Sequence, residues 1–280
     1  MRMRWEHWLL PTLLYYGVFF VLPQLIFVRN SLHAFTGPGQ VGDSFTLANY
    51  AKLLGDPYYL GALGESVFLA GMTVVISLVL AVPVAYGIAR KTSRASQVIF
   101  IIMFISSLTS TVIRGMGMLS FLNPNGPVVR LLSLLPGVHD PPRLTGNLTG
   151  AILALVHYAV PYTVLLLVPV IQAIEPSLEE AAAGLGASRP MIIRAVMAPL
   201  TAPGLIAASL LVFALSMGAY TTPAIVGGPR LRIYPILIYQ QVSTVLNYAL
   251  GSAMAFIMMV VAVLVVLLAG LVSRGRLYHT

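Results

Sequence analysis

The chain has 280 residues, of which 58% are hydrophobic and only 9% are charged. Soluble domains carry about 25% charged residues, so this composition excludes a soluble protein and indicates one that crosses a membrane several times. The net charge of +8 does not indicate nucleic-acid binding, because the basic residues stand singly or in short clusters beside apolar runs, and the absence of cysteine excludes disulfides and thiolate metal sites.

Long runs without Asp, Glu, Lys or Arg predict the membrane-spanning helices. A helix needs about 20 apolar residues to cross a hydrocarbon core about 30 Å thick. The first run lacks the small-residue cleavage site of a signal peptide, so we expect it to remain in the protein. The chain is therefore predicted to be an all-α polytopic membrane protein with one transmembrane domain over 1–280. After trimming at Pro and Gly clusters, the spans lie near 8–28, 64–89, 97–119, 149–171, 201–219 and 251–273.

The positions of Lys and Arg predict which side each loop occupies. Cytoplasmic loops carry an excess of these residues. If both termini are cytoplasmic, the inner segments have a higher density of Lys and Arg than the outer ones. The one cluster, Arg90-Lys91 with Arg94, then lies inside. The outer loops are longer and contain turn formers such as Thr36-Gly-Pro-Gly39, and Leu47–Leu54 and Pro57–Leu63 are predicted to be short interfacial helices.

The loop between spans four and five, about 172–200, has the pattern of a short helix that ends in a turn. We call it the elbow. Ser177 and Glu180 stand three residues apart, which is the spacing of a capping box at a helix start. Three alanines extend this helix, and Gly184 and Gly186 are expected to end it, because glycine weakens helices and suits the left-handed position after them.

A second helix is predicted to follow at once. Ser188 can cap it, Pro190 fits its first turn, and it runs toward Met197. The elbow is thus predicted to be a helix-turn-helix at the membrane face with small residues exposed. Small side chains allow a partner to approach the backbone closely, so the elbow suits the groove of another protein.

The elbow resembles the signature loop of the permease subunits of ATP-binding-cassette (ABC) importers. In that family this loop forms the coupling helix that docks into the nucleotide-binding subunit, which places the elbow in the cytoplasm. One residue departs from the pattern: Ala198 stands where leucine is expected. The residues that match are Glu180, Ala181, Ala182, Gly186, Ala187, Ser188, Pro199, Pro203 and Gly204.

The resemblance implies the fold of a type I ABC importer transmembrane domain in a bacterial inner membrane. It also implies two ABC ATPase subunits that carry ATP and Mg²⁺, a second permease subunit as a heterodimer, an extracytoplasmic solute-binding protein and membrane lipids. We expect no cofactor, metal or nucleic acid on this chain. It lacks a Gly-x-x-x-x-Gly-Lys-Ser/Thr phosphate loop, so we expect a transporter subunit and not an enzyme.

Three further stretches resemble the spermidine/putrescine class of these permeases. They are Phe45–Tyr50 with Gly55–Tyr58, Pro83–Arg90, and Gly218–Pro229. The resemblance implies a polyamine as the solute. Related permeases for ferric iron, sulfate or opine-like solutes share the architecture, so these solutes stay open.

Aromatic and ionisable residues near the spans are candidates for the solute pathway, because a polycation is attracted to carboxylates and aromatic faces. A simpler explanation exists for each: Glu65 faces water, His157 packs between helices as a neutral ring, and the residues after span five form an ordinary outer loop. Arg114 is expected to snorkel to the outer interface. The candidates are Glu65, His157, Tyr158, Tyr220 and Thr222.

Three other classes of protein fit the sequence less well. An ion-coupled secondary transporter usually carries ionisable groups in mid-membrane, and the predicted spans hold almost none. An intramembrane enzyme is disfavoured because no His-Glu-x-x-His or Gly-x-Ser-x-Gly motif occurs. A structural scaffold would not need the elbow.

Overall fold

The computed structural model describes residues 6–91, 93–134 and 141–277. The chain termini, which the charge pattern predicts to lie in the cytoplasm, are outside these residues. Within them the protein is helical apart from one hairpin, which confirms the all-α class. The helices are α1 (Glu6–Tyr16), α2 (Leu22–Ser31), α3 (Ala48–Gly55), α4 (Pro57–Arg90), α5 (Arg94–Leu108), α6 (Thr111–Leu122), α7 (Pro127–Ser133), α8 (Leu148–Gln172), α9 (Pro176–Gly184), α10 (Arg189–Ile192), α11 (Ala198–Met217), α12 (Thr221–Val226), α13 (Tyr234–Tyr239) and α14 (Tyr248–Leu277).

π-helical turns join α1 to α2 at Gly17–Val21 and α10 to α11 at Ile193–Met197, and a third extends α13 at Gln240–Thr244. The hairpin consists of antiparallel strands β1 (His33–Gly37) and β2 (Gln40–Phe45). The predicted turn at Thr36–Gly39 forms its tip, where Gly39 has φ +76°. The strands themselves were not predicted.

The described residues contain five helices that are long and apolar enough to cross a membrane. A sixth span exists if the bent pair Arg94–Leu108 and Thr111–Ser133 counts as one. The prediction of six spans is therefore confirmed as five to six. The five are Pro11–Ser31, Pro57–Arg90, Leu148–Gln172, Arg189–Met217 and Tyr248–Gly270.

Span three is the main correction to the predicted elements. It was expected to be one helix over 97–119, but it breaks at Thr109-Ser110 with a bend of 109°. No Pro or Gly marks the break. At the break the hydroxyls of Ser107 and Thr109 donate to the carbonyls of Phe104 and Ile105, at 2.7 and 3.3 Å.

Two other boundaries differ from the predicted ones. α4 begins at Pro57 and absorbs the short helix predicted at 57–63, whereas the helix predicted at 47–54 is present as α3. Span five begins at Arg189, so the second arm of the elbow and the span are one continuous helical rod through a π turn.

The described chain divides into two compact units. One unit holds the residues up to Gly64 together with Arg232–Val261. Within it, Tyr50 and Ser31 share a hydroxyl hydrogen bond of 2.7 Å, and the Asn49 amide donates to the carbonyls of Ser31 and His33. Its buried core comprises Leu53, Tyr59, Ala62, Tyr234, Leu237, Leu250, Ala253 and Met254.

The other unit, Glu65–Leu231 with the residues after Ala262, is built around α8. This helix packs against α5, α6, α11 and α12, and it is the most buried of the spans. At Gly204 of α11, a Cβ atom would lie 2.7 Å from the side chain of Val170 in α8. The absence of a side chain at Gly204 therefore allows the two helices to approach closely, as small residues commonly do in membranes.

Candidate coupling elbow and solute pathway

The first helix of the elbow begins earlier than the capping box predicts. Its N-cap is Glu175, and Pro176 occupies the first turn, where its fixed φ favours a helix start. Ser177 lies inside the helix and donates to the Glu175 carboxylate at 3.2 Å. The predicted pairing of Ser177 with Glu180 as a capping box is therefore wrong, although a helix forms there.

The end of this helix is as predicted. Gly186 has φ +84°, and its N–H donates to the carbonyl of Ala183 at 2.9 Å. The next N–H, of Ala187, donates to the carbonyl of Ala182 at 3.1 Å, which completes a Schellman motif. Leu185 stands at the turn and is 90% exposed. The turn of the elbow thus has a hydrogen-bonded backbone and projects the side chain of Leu185.

The second arm leads straight into span five. Ser188 is the N-cap by backbone geometry and its carbonyl accepts from the N–H of Ile192 at 2.9 Å, but its hydroxyl makes no capping hydrogen bond. Pro190 lies in the first turn, as predicted. α10, the π turn and α11 therefore form one continuous helical segment.

The residues that match the family pattern fall into two groups. Those of the elbow are exposed or half-buried, so a partner can reach them: Glu180, Ala181, Ala182, Gly186, Ala187 and Ser188. Pro199 and Pro203 are exposed on the first turns of α11, whereas Gly204 is buried against α8. The motif therefore combines an accessible surface with a site of close helix packing.

An ion pair that the sequence did not reveal ties the elbow to the C-terminal end of α4. Arg90 Nε donates to Glu179 Oε1 at 2.6 Å, and the Tyr86 hydroxyl donates to the other carboxylate oxygen at 2.5 Å. Arg90 Nη1 also donates to the carbonyl of Ile174 at 3.0 Å. Among the described residues this is the only ion pair. Glu179 precedes a motif residue, but nothing local indicates a partner 89 positions away.

A void lies where the elbow meets the spans. It has a volume of about 300 Å³ and an apolar lining. Ala198, which stands where the family pattern has leucine, is part of this lining, so we call the void the Ala198 cavity. It is lined by Val82, Pro83, Tyr86, Leu167, Ile171, Ile193, Met197, Ala198, Thr201 and Leu205.

Three of the five candidate pathway residues meet in one cavity. Tyr158, Tyr220 and Thr222 line a space of about 140 Å³, together with Thr111, Leu155, Leu215, Ala219 and Thr221. We call it the Tyr158 cavity. The hydroxyl of Thr222 is buried there without a hydrogen-bond partner in the described structure. Glu65 and His157 are exposed and are not among the lining residues.

Arg114 does not snorkel outward. Only 5% of it is exposed, and its guanidinium lies 5.0 Å from the centre of the Tyr158 ring. It donates to the carbonyls of Ser106, Thr109 and Tyr158. The bend in span three turns the start of α6 inward, and the run of residues alone could not reveal that bend.

Comparison with known proteins agrees with this architecture. The family model described as binding-protein-dependent transport system inner membrane component matches residues 71–278. The chain belongs to this family: it is a multi-pass inner-membrane permease subunit of an ABC importer, and not an enzyme. In such systems the ATPase is a separate subunit.

Two curated relatives share nearly the whole length. The spermidine/putrescine transport system permease protein PotB of Salmonella typhimurium (strain SL1344) is 28% identical over 97% of this chain and 94% of its own. PotB of Escherichia coli (strain K12) is 29% identical over 92% and 93%. The ferric transport system permease protein FbpB of Actinobacillus pleuropneumoniae is 25% identical over 85% of this chain and 35% of its own.

Solved structures show the same fold. A bacterial ABC transporter involved in the import of the acidic polysaccharide alginate aligns with a TM-score of 0.78 at 19% identity, over 96% of this chain and 94% of that one. The MetNI methionine ABC transporter aligns with a TM-score of 0.62 at 18% identity, over 77% and 94%. The chain thus has the fold of a type I ABC importer transmembrane domain.

Proposed function

We propose that this chain carries a polyamine across the inner membrane as one half of a permease heterodimer. An extracytoplasmic binding protein delivers the solute, and two ABC ATPases grip the elbow from the cytoplasm. The observation that carries the coupling role is the rigid, exposed turn at 185–187, which is continuous with span five. The proposal that the solute is a polyamine rests on the two PotB relatives, which match over more than nine-tenths of this chain.

The contacts of the elbow support a mechanical role. On one side the Glu179–Arg90 pair links it to α4, and on the other the backbone runs without a break into α11. A force on the turn therefore reaches spans two and five together. Closure of the ATPases on ATP would tilt both spans, and their outer parts would open or close the solute path in alternation.

The Tyr158 cavity supplies aromatic rings and hydroxyls to the proposed path. Its lining contains no carboxylate. Aromatic faces attract ammonium groups by about 0.5–2 kcal/mol, so this chain can hold a polyamine weakly. The neutralising carboxylates are then expected from the second permease.

One observation favours a second candidate. The buried guanidinium of Arg114, 5.0 Å from the Tyr158 ring, repels a polycation and attracts a solute that carries negative charge. The same type of permease would then serve a sulfate or opine-like solute.

Uptake by cells that produce the whole importer tests the proposal. Radiolabelled spermidine and sulfate are offered to the unmodified chain and to Gly186→Asp. The Asp strains the left-handed backbone and places a charge in the docking surface, so spermidine uptake is expected to fall roughly tenfold or more while the subunit still inserts.

Gly184→Asp is the matched control. It adds the same charge two residues earlier, at a glycine without positive φ and with open space around it. A smaller loss there identifies the turn itself as the docking element. Normal ATPase recruitment and normal uptake with Gly186→Asp would contradict the coupling role. Uptake of sulfate but not of spermidine by the unmodified chain would contradict the proposal that the solute is a polyamine.

A further inference from the structure

Arg114 is a buried cation without an acidic partner among the described residues. The one ion pair there is Arg90–Glu179, and Arg114 Nε has no hydrogen-bond partner. Ionisable groups inside a membrane protein are costly and are usually retained for a role. The contacts of this side chain indicate what the role is.

The guanidinium connects three pieces of backbone. Arg114 lies in the first turn of α6, and it reaches back to the carbonyls of Ser106 and Thr109 at the C-terminal end of α5. The last carbonyls of a helix lack intrahelical partners and carry partial negative charge. At membrane depth they must be satisfied within the protein. Arg114 therefore supplies hydrogen-bond donors to the carbonyls at the end of α5, where the chain bends by 109°.

The same side chain joins the break to α8. It donates to the carbonyl of Tyr158 at 3.3 Å, one turn before Pro161, and its charge lies over the Tyr158 ring. A second link runs beside it, because the Tyr162 hydroxyl donates to the carbonyl of Ser107 at 2.9 Å. The bend in span three is thus fastened to α8 at two neighbouring points.

Both fastened parts form the wall of the Tyr158 cavity. Thr111, the first residue of α6, and Tyr158 of α8 line it opposite residues from the end of α11 and the start of α12. The buried hydroxyl of Thr222 has no partner in the described structure, so the cavity offers a free polar group. A change at the bend would alter the width of this space.

We propose that Arg114 is a positioning residue of the solute gate: it fastens the bend of span three to α8 and so holds Thr111 and Tyr158 in the wall of the Tyr158 cavity. This inference rests on the proposed transport function. For this role the geometry of the side chain matters more than its charge. The planar guanidinium of arginine presents several N–H donors in a fixed fork that reaches carbonyls on two helices, whereas the ammonium of lysine is a compact point charge.

The lack of native cysteine allows a direct test on the full chain in lipid nanodiscs. Thr222→Cys places one thiol in the cavity, and its reaction with a charged maleimide is timed. Loss of a hydrogen bond to a charged group shifts an open–closed equilibrium by about tenfold or more, so Arg114→Gln and Arg114→Lys are each expected to speed labelling about tenfold.

Arg130→Gln is the matched control, because Arg130 is exposed on α7 and makes no side-chain contact to α8 in the described structure. It should leave the rate unchanged. Equal rates in Arg114→Gln and Arg130→Gln would overturn the proposal. If Arg114→Gln fails to insert, Arg114→Lys is measured in its place, and an unchanged rate in that variant would overturn the proposal.

The complete importer supplies a readout that a merely structural role would not move. Arg114→Gln should assemble in normal amounts and hydrolyse ATP while delivering about tenfold less solute per ATP. Normal solute delivery per ATP would overturn the proposal. A failure of the proposed function differs from this outcome, because the unmodified importer would then not take up polyamine while the labelling difference remained.

Discussion

Glu179 and Arg90 form an ion pair that holds the elbow on the end of α4. Both side chains are largely shielded from water. Their side chains are 16% and 14% exposed, so the charges are only partly screened. The Tyr86 hydroxyl occupies the second carboxylate oxygen. Removing the carboxylate leaves Arg90 Nε and the Tyr86 hydroxyl without this acceptor.

We therefore expect Glu179→Ala to destabilise the elbow by about 2 kcal/mol, the usual contribution of hydrogen bonds to a charged group. Hydrogen–deuterium exchange of α9 and α10 in the full chain measures this effect. Glu180→Ala removes a neighbouring exposed carboxylate that makes no ion pair in the described structure, and it should leave exchange unchanged. Similar exchange in both variants would contradict the anchoring role.

At the level of single residues, the sequence predicted what depends on local backbone. Gly186 was expected in a left-handed position and has it, because the preceding alanines and the glycine decide that geometry together. The Arg90–Glu179 pair and the burial of Arg114 depend on residues that are distant in sequence. In the sequence, Arg114 stands at the end of a long apolar run, which predicts a side chain at the membrane surface. Nothing in that run indicates the bend that buries it.

Among the elements, the second arm of the elbow and span five form one continuous helix, and the Ala198 cavity lies beside the start of α11. The cavity of about 300 Å³ is larger than a leucine side chain needs. The departure from the family pattern at Ala198 is thus matched by empty space. The empty space beside this helix leaves room for the helix to move.

Filling this void should stabilise the fold and slow transport. Ala198→Leu adds three carbon atoms, and burying part of them is worth about 1–2 kcal/mol. We expect a higher thermal midpoint and a lower rate of solute uptake. Ala195→Leu is the control, because it adds the same atoms outside the cavity lining. A lower midpoint with Ala198→Leu would mean that the cavity cannot accept the side chain.

The predicted elements were most accurate where apolar runs are bounded by Pro, Gly or charge. Span four was expected near 149–171 and is α8, from Leu148 to Gln172. The prediction of span three as one helix was wrong, because no Pro, Gly or charged residue marks the break at Thr109-Ser110. The hairpin at 33–45 was missed because its strands are short and only its turn has a marked sequence.

For the whole molecule, the class could be predicted because one contiguous loop carries the family pattern. The Tyr158 cavity could not, because its lining comes from four elements that only the fold brings together. The sequence predicts Tyr158, Tyr220 and Thr222 as separate candidates, and only the fold places them in one lining. Glu65 and His157 stay predictions as pathway residues, since they lie outside that lining.

The central claim is that the elbow faces the cytoplasm and is held there by an ATPase. Leu185→Cys provides the most direct measurement, since this residue is 90% exposed and the chain has no other cysteine. In intact cells a membrane-impermeant maleimide should leave it unlabelled, and in inside-out vesicles it should react unless the ATPase is bound. Labelling from outside in intact cells, or equal labelling with and without the ATPase, would contradict the account.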